Sequence, residues 1–166
     1  MRARSRRLLF LVALGATVAW SREEPNEDLV LGTWVLDLAE STYRPGPPPK
    51  SQKRTYEPHG EGVKATITTV DAEGRTLSAE YVADYDSLEY PLTGSTQIDA
   101  IALKRVNDTT AEATLTHARK VIGTARRVIS PDGKTMTITF KGNDPQGRAV
   151  HNVAVYRKEG SPEPRE

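Results

Sequence analysis

The sequence contains no cysteine. Disulfides, thiolate nucleophiles, cysteine-ligated zinc and a lipidated N-terminal cysteine are therefore excluded. It also lacks a long apolar run. Leu8 to Ala19 is broken by Gly15 and Thr17 and falls short of the ~20 residues that a bilayer core requires. No Gly-x-Ser-x-Gly elbow marks a hydrolase nucleophile. No His-x-His spacing marks a metal site. His59-Gly-Glu-Gly62 is a turn with no helix pattern after it, so it offers no phosphate cradle. Catalytic residues and metal ligands are thus unmarked, and no cofactor is implied.

An excess of positive charge is lacking as well, once the N-terminus is set aside. Residues 1–21 form a basic start (Arg2, Arg4, Arg6, Arg7), an apolar stretch and small residues before a cut after Ser21. This is the three-part pattern of a secretory signal peptide. The expected product is exported, periplasmic or secreted, with no membrane anchor. Ser5-Arg-Arg-Leu-Leu-Phe10 also resembles a twin-arginine signal, but the ordinary Sec route is the expectation. The whole chain has 23 Lys and Arg against 22 Asp and Glu. Removing four arginines and no acid leaves 19 against 22, so the mature chain is slightly acidic. That removes the electrostatic case for nucleic-acid binding.

What remains reads as one domain. Residues 22–28 form a polar leader, 29–160 the domain, and 161–166 a tail expected to be disordered. A domain of this size buries roughly 68–70% of its unfolded surface, enough to stand without disulfides. Alternation of apolar and polar residues recurs along it: Thr33–Leu38 with Trp34, Leu36 and Leu38 on one face; Gln52–Glu57 with Tyr56; Val63–Val70; Thr76–Tyr85 with Leu77, Ala79, Tyr81, Ala83 and Tyr85 on one face. It continues through Ile98–Val106, Ala111–Arg119, Val121–Ile129, Thr135–Lys141 and Arg148–Arg157. Period two is the mark of half-buried strands. The inward side of Val121–Ile129 is ambiguous.

Turn chemistry separates these runs. Asp71-Ala-Glu-Gly74 and Ser130-Pro-Asp-Gly133 place glycine where a tight turn needs positive φ, and Gly142–Gly147 is a third such cluster. Strands at this spacing predict an all-β, up-and-down antiparallel meander of about ten strands. Closing it into a barrel removes two unpaired edges. Ala39–Lys50, with four prolines, is expected to be an irregular loop across one mouth, with Tyr43 beneath it.

Gly32-Thr-Trp-Val-Leu36 at the start of the first strand resembles the Gly-x-Trp opening of lipocalins and the Gly-Thr-Trp-x-Leu opening of fatty-acid-binding proteins, both calycins. The resemblance implies that Trp34 packs across a barrel floor beside Gly32. It further implies that a cation of the last strand, Arg157 or Lys158, covers the ring, and Arg157 is the residue assigned. Tyr43–Lys50, Tyr90–Gly94, Leu103–Arg105, Ser130–Met136 and Asn152–Tyr156 extend a resemblance to small exported bacterial lipocalin-like proteins. That family implies fold and export and brings no activity. The Arg-x-Tyr ending of fatty-acid-binding proteins is missing, since Ala154 stands where the arginine belongs. Their helical lid is replaced by the proline segment. Fatty-acid binding is therefore not inherited.

The candidate ligand-binding residues are the in-phase tyrosines Tyr56, Tyr81, Tyr85 and Tyr156, with His117, Arg127 and His151. An inward tyrosine offers an apolar body and a polar tip, which suits a partly apolar small molecule. Adjacent strand residues face opposite ways, so one of Arg126 and Arg127 faces inward, where it attracts an anion or needs a buried acid. His117 follows Leu115 in phase and His151 precedes Val153, so each is a candidate for the lumen. The first expectation is a small-ligand-binding barrel. The alternative is a structural or protein-interaction module whose core is filled, consistent with the small Ala65, Ala79, Ala83 and Ala113. A haem protein or hydrolase using a histidine ranks third. Ligand identity and oligomeric state are not legible.

Overall fold

The computed structural model describes residues 28–160. The expected signal peptide at 1–21, all of the expected leader except Asp28, and the expected tail at 161–166 lie outside the described residues. Residues 28–160 contain ten strands and no helix: β1 (Gly32–Arg44), β2 (Ser51–His59), β3 (Gly62–Val70), β4 (Thr76–Ala83), β5 (Asp86–Thr93), β6 (Ala100–Asn107), β7 (Thr110–His117), β8 (Lys120–Ile129), β9 (Thr135–Asn143) and β10 (Ala149–Lys158). Each strand pairs antiparallel with its sequence neighbours, and β1 pairs with β10, closing the barrel. The expected meander is therefore a closed, ten-stranded, up-and-down antiparallel barrel. Closure leaves no edge strand.

The expected turns form as their residues require. Gly74 N–H donates to Asp71 O at 3.0 Å and Gly133 N–H to Ser130 O at 2.8 Å, with both glycines at positive φ. The two ends of the barrel follow from the register. One end carries the turns at 60–61, 84–85, 108–109 and 130–134, together with residues 28–31. The other carries 45–50, 71–75, 94–99, 118–119 and 144–148.

Three segments depart from expectation. β1 does not stop at Leu38 but runs to Arg44, with its pairing to β10 shifted between Asp37 and Thr42. In this bulge the Ser41 hydroxyl donates to Asp37 O and accepts the Val155 N–H at 2.9 Å, standing in for a ladder partner. The shift turns Leu38 outward and Tyr43 inward, so the proline-bearing loop is shorter than the sequence suggests. β5 was not legible as a strand. It holds Pro91, which cannot donate to a ladder, and it pairs with β4 only at Glu80–Thr93 and Tyr81–Leu92. In β8 the register slips opposite Leu115 and Thr116, so Ile122 faces the lumen in one phase and Ala125 and Arg127 in the other. That slip is why the alternation of β8 is ambiguous.

The core gathers toward the end capped by residues 28–31. Val30, Trp34, Val63, Met136 and Tyr156 are essentially without solvent exposure, and Ala83, Leu103 and Ile129 are buried with them. Higher up, Phe140 lies over a pair of glycines that face each other across the β8–β9 ladder, Gly123 and Gly142. A Cβ on either would stand 2.6–2.7 Å from the ring. The two glycines thus make the room that this aromatic occupies.

Candidate functional site: a cationic layer in the barrel lumen

The floor is built from the start of β1. Trp34 Nε1–H donates to Val30 O at 2.7 Å, which folds residues 28–31 under the barrel. Asp28 anchors that segment by accepting Arg105 Nη2–H at 2.6 Å and the Tyr85 hydroxyl at 3.3 Å. Burial pushes the Asp28 carboxyl up, but the Arg105 hydrogen bond, the Val30 N–H and the nearby guanidiniums outweigh it and hold it below the usual carboxylate value.

The ring of Trp34 is covered by Lys158, whose Nζ sits 5.3 Å from the ring centroid. Arg157 does not play this part. Lys158 stands directly opposite Trp34 in the β1–β10 ladder and shares its face. Arg157, one position away, faces out and bonds Asp37 at 3.1 Å and Thr135 at 3.0 Å. Gly32 lies at φ 115°, and a Cβ there would meet the Lys158 side chain at 3.0 Å.

Above the floor the lumen holds a cavity of about 450 Å³. This is within the 300–1,000 Å³ typical of small-molecule sites. The core is therefore not filled by side chains. Of the candidates, Tyr56, Tyr81, Arg127, Tyr156 and His117 line the cavity. Its wall also includes Arg54, a residue the sequence did not single out.

Arg54 and Arg127 place two guanidiniums in one layer deep in the lumen. Arg54 Nε–H is shared between Gln52 Oε1 and the Tyr156 hydroxyl, both at 3.1 Å, and the Tyr156 hydroxyl in turn donates to Gln52. Its guanidinium lies 5.4 Å from the Tyr156 ring centroid. Arg127 Nη2–H donates to the Tyr85 hydroxyl at 2.7 Å, and its guanidinium lies 5.3 Å from the Tyr56 ring centroid. Arg127 Nε is buried and has no hydrogen-bond partner among the described residues. Neither arginine forms an ion pair with a carboxylate among the described residues. Asp28, the acid that shares the Tyr85 hydroxyl with Arg127, is already held by Arg105.

The tyrosines record this imbalance of charge. Burial drives the hydroxyls of Tyr81, Tyr85 and Tyr156 upward. It drives Tyr43 up to about 12. Tyr56 moves the other way: burial raises it, but the charges of Arg54 and Arg127 outweigh this and bring it below the ordinary phenol value of 10.

The remaining candidates sit elsewhere. Tyr85 belongs to the floor network and is not on the cavity wall. His151 is exposed on the outer face of β10, because Asn152, Ala154 and Tyr156 take the inward phase. His117 lies at the open end, with Nδ1 3.5 Å from Asp99 and its side chain 45% exposed. The two histidines are therefore on opposite sides of the wall. Arg126 faces outward and pairs with Glu112 at 2.7 Å.

No protein-family model matches the chain. No curated protein matches it either. Among solved structures, it is similar to zebrafish ileal bile acid-binding protein complexed with cholic acid, at 12% identity and a TM-score of 0.45, over 78% of this chain and 98% of that one. The architecture described above rests on strand order and closure, and this likeness adds no residue to the site.

The sequence did hold a sign of Arg54. Gln52, Arg54 and Tyr56 share one face of β2, and Tyr56 is an inward residue. A polar residue between two inward positions of a strand is itself inward.

Proposed function

We propose that the protein is an exported barrel that carries a small amphipathic anion in its lumen. One observation carries this reading. Two guanidiniums face a cavity of about 450 Å³ with no carboxylate bonded to them, and one of their buried N–H groups has no partner. A buried cation is stable only when it is paired and hydrogen-bonded. A ligand carboxylate or sulfonate would supply both, since a guanidinium fork matches such oxygens in a plane.

The rest of the wall suits the other end of such a ligand. Ile67, Leu92, Ile101, Leu115, Ile138 and Phe140 line the same cavity. A head held at Arg54 and Arg127 directs an apolar body along these residues toward the end bearing Gln97, His117 and Asn143. The arginine that fatty-acid-binding proteins carry two residues before their last tyrosine is Ala154 here. Arg54, reaching Tyr156 from β2, occupies the neighbourhood from another strand.

Fluorescence of anilinonaphthalene sulfonate tests the reading. The dye should bind in the folded state with enhanced emission. Arg54→Gln and Arg127→Gln should each weaken it tenfold or more, as expected when a charge-assisted bond worth ~1.5–3 kcal/mol is lost. Unchanged binding in the double variant would refute it. Export rests on residues 1–21, and the N-terminal sequence of protein recovered from outside the cytoplasm tests it.

A further inference from the structure

Resting on that reading, we propose that Tyr56 is a proton-gated occupant of the ligand's place: once ionised, its phenolate serves as the counter-anion of the empty lumen, and an anionic ligand binds the form in which Tyr56 is protonated. The geometry sets this exchange. Arg54 and Tyr56 are two residues apart on β2 and face the same way, while Arg127 reaches across from β8 to lie 5.3 Å from the Tyr56 ring centroid. Both guanidiniums that would hold a ligand head therefore flank one phenol, itself 3% exposed.

The other groups near Tyr56 do not supply a competing anion. From β4 comes Tyr81, from β10 Tyr156, and from the β4–β5 turn Tyr85, all neutral phenols that burial keeps protonated. From β3 the ladder partner is Ala65, and from β1 it is Gly32. Asp28 is the nearest carboxylate in the network, and its charge is held by Arg105. Tyr56 is thus the one group in the layer whose ionisation relieves two unpaired cations. Of the six tyrosines it alone is shifted down, since Tyr90, outside the lumen, is raised to about 12 by Asp86.

The sign of the linkage follows. A ligand anion and a phenolate repel one another and compete for the same two cations, so the ligand prefers protonated Tyr56. Binding is then tightest below the Tyr56 pKa of the empty protein. It weakens up to tenfold per pH unit above that value, until Tyr56 also ionises in the complex. The onset lies below pH 10, the ordinary phenol value from which Tyr56 departs downward.

Decanesulfonate is a suitable probe, because its head does not titrate in this range and it does not absorb where tyrosinate does. In the full mature chain, an ultraviolet titration monitored at the tyrosinate band should show one tyrosine ionising ahead of the rest. Saturating decanesulfonate should move that step to higher pH. Calorimetry in buffers of different ionisation enthalpy should show proton uptake on binding at and above the step. Tyr56→Phe should lose the early step and bind with an affinity independent of pH across it. No early step, or a step that the sulfonate leaves in place, would overturn the exchange using the unaltered protein alone. A pH profile unchanged by Tyr56→Phe would overturn it as well. Failure of decanesulfonate to bind at any pH would overturn the anion-binding reading itself. Binding that needs Arg54 and Arg127 but moves no proton would overturn only the role of Tyr56.

Discussion

The two ends of the barrel are built on opposite terms. At the floor, Val30, Trp34, Met136 and Ile129 are buried, the backbone of residues 28–31 is tied in by Trp34, and Lys158 covers the indole. At the mouth, the wall is completed by Gln97, His117, Asn143, Asp144 and Pro145, all on or beside turns and none of them buried. The cationic layer lies just above the floor, with Arg54 opposite Trp34 in the β1–β2 ladder. The difference teaches where each kind of energy resides. Stability is concentrated at one end, access at the other, and the uncompensated charge lies inside the lumen between them.

The comparison breaks first at Trp34. Trp34→Ala removes the largest fully buried side chain and the hydrogen bond that folds the floor segment. It should cost ~3–5 kcal/mol, measured by urea unfolding. With residues 1–21 removed, as proposed, Trp34 is the one tryptophan left, so its emission should be blue-shifted when folded and move red in one step.

Asp28→Asn sharpens the same contrast. It removes the charge that holds Arg105 and the Tyr85 hydroxyl, and should cost about 1–2 kcal/mol. The pH dependence follows from the sign of the Asp28 shift. Its carboxyl is held below 3.8 in the folded state, so its contribution is complete above that value and is lost as pH falls through the lower, folded one. An acid titration of unfolding should therefore lose part of its slope below about pH 4 in Asp28→Asn.

The choice of Lys158 over Arg157 predicts a smaller difference. Lys158→Ala should cost roughly 0.5–1 kcal/mol through the lost cation–π contact. Arg157→Ala, which breaks an exposed pair, should stay within about 0.5 kcal/mol of the parent. Smallest of all should be His117→Ala at the mouth, with stability unchanged within ~0.5 kcal/mol. If His117→Ala proved as damaging as Asp28→Asn in thermal unfolding, the contrast between the two ends would not stand.

Much of this arrangement was legible before the structure. Period-two alternation located nine of the strands, because each has one wet face and one dry face. Gly32-Thr-Trp placed the floor. Legibility failed where local signals mislead. Pro91 hid β5, since a proline is tolerated where the ladder is thinnest, and β4 and β5 are joined at only two points. The Asp37–Thr42 bulge hid the end of β1 by reversing the alternation. Arg54 was overlooked because a charged residue in a polar strand reads as solvated. Its phase with the inward Tyr56, on a strand held between β1 and β3, is what turns it inward. Arg127 became assignable once Ile129 fixed the phase of β8. The tyrosines divided for a similar reason: phase places Tyr85 with Tyr81, yet beyond the end of β4 it joins the floor network instead of the cavity wall.

The central claim is that the lumen selects negative charge. Calorimetric titration with three ligands of equal chain length tests it directly: decanesulfonate, decanol and decyltrimethylammonium. The account predicts that the sulfonate binds at least tenfold tighter than the alcohol, that the cation does not bind, and that the preference disappears in the Arg54→Gln, Arg127→Gln double variant. Equal binding of all three, or a preference for the cation, would contradict it.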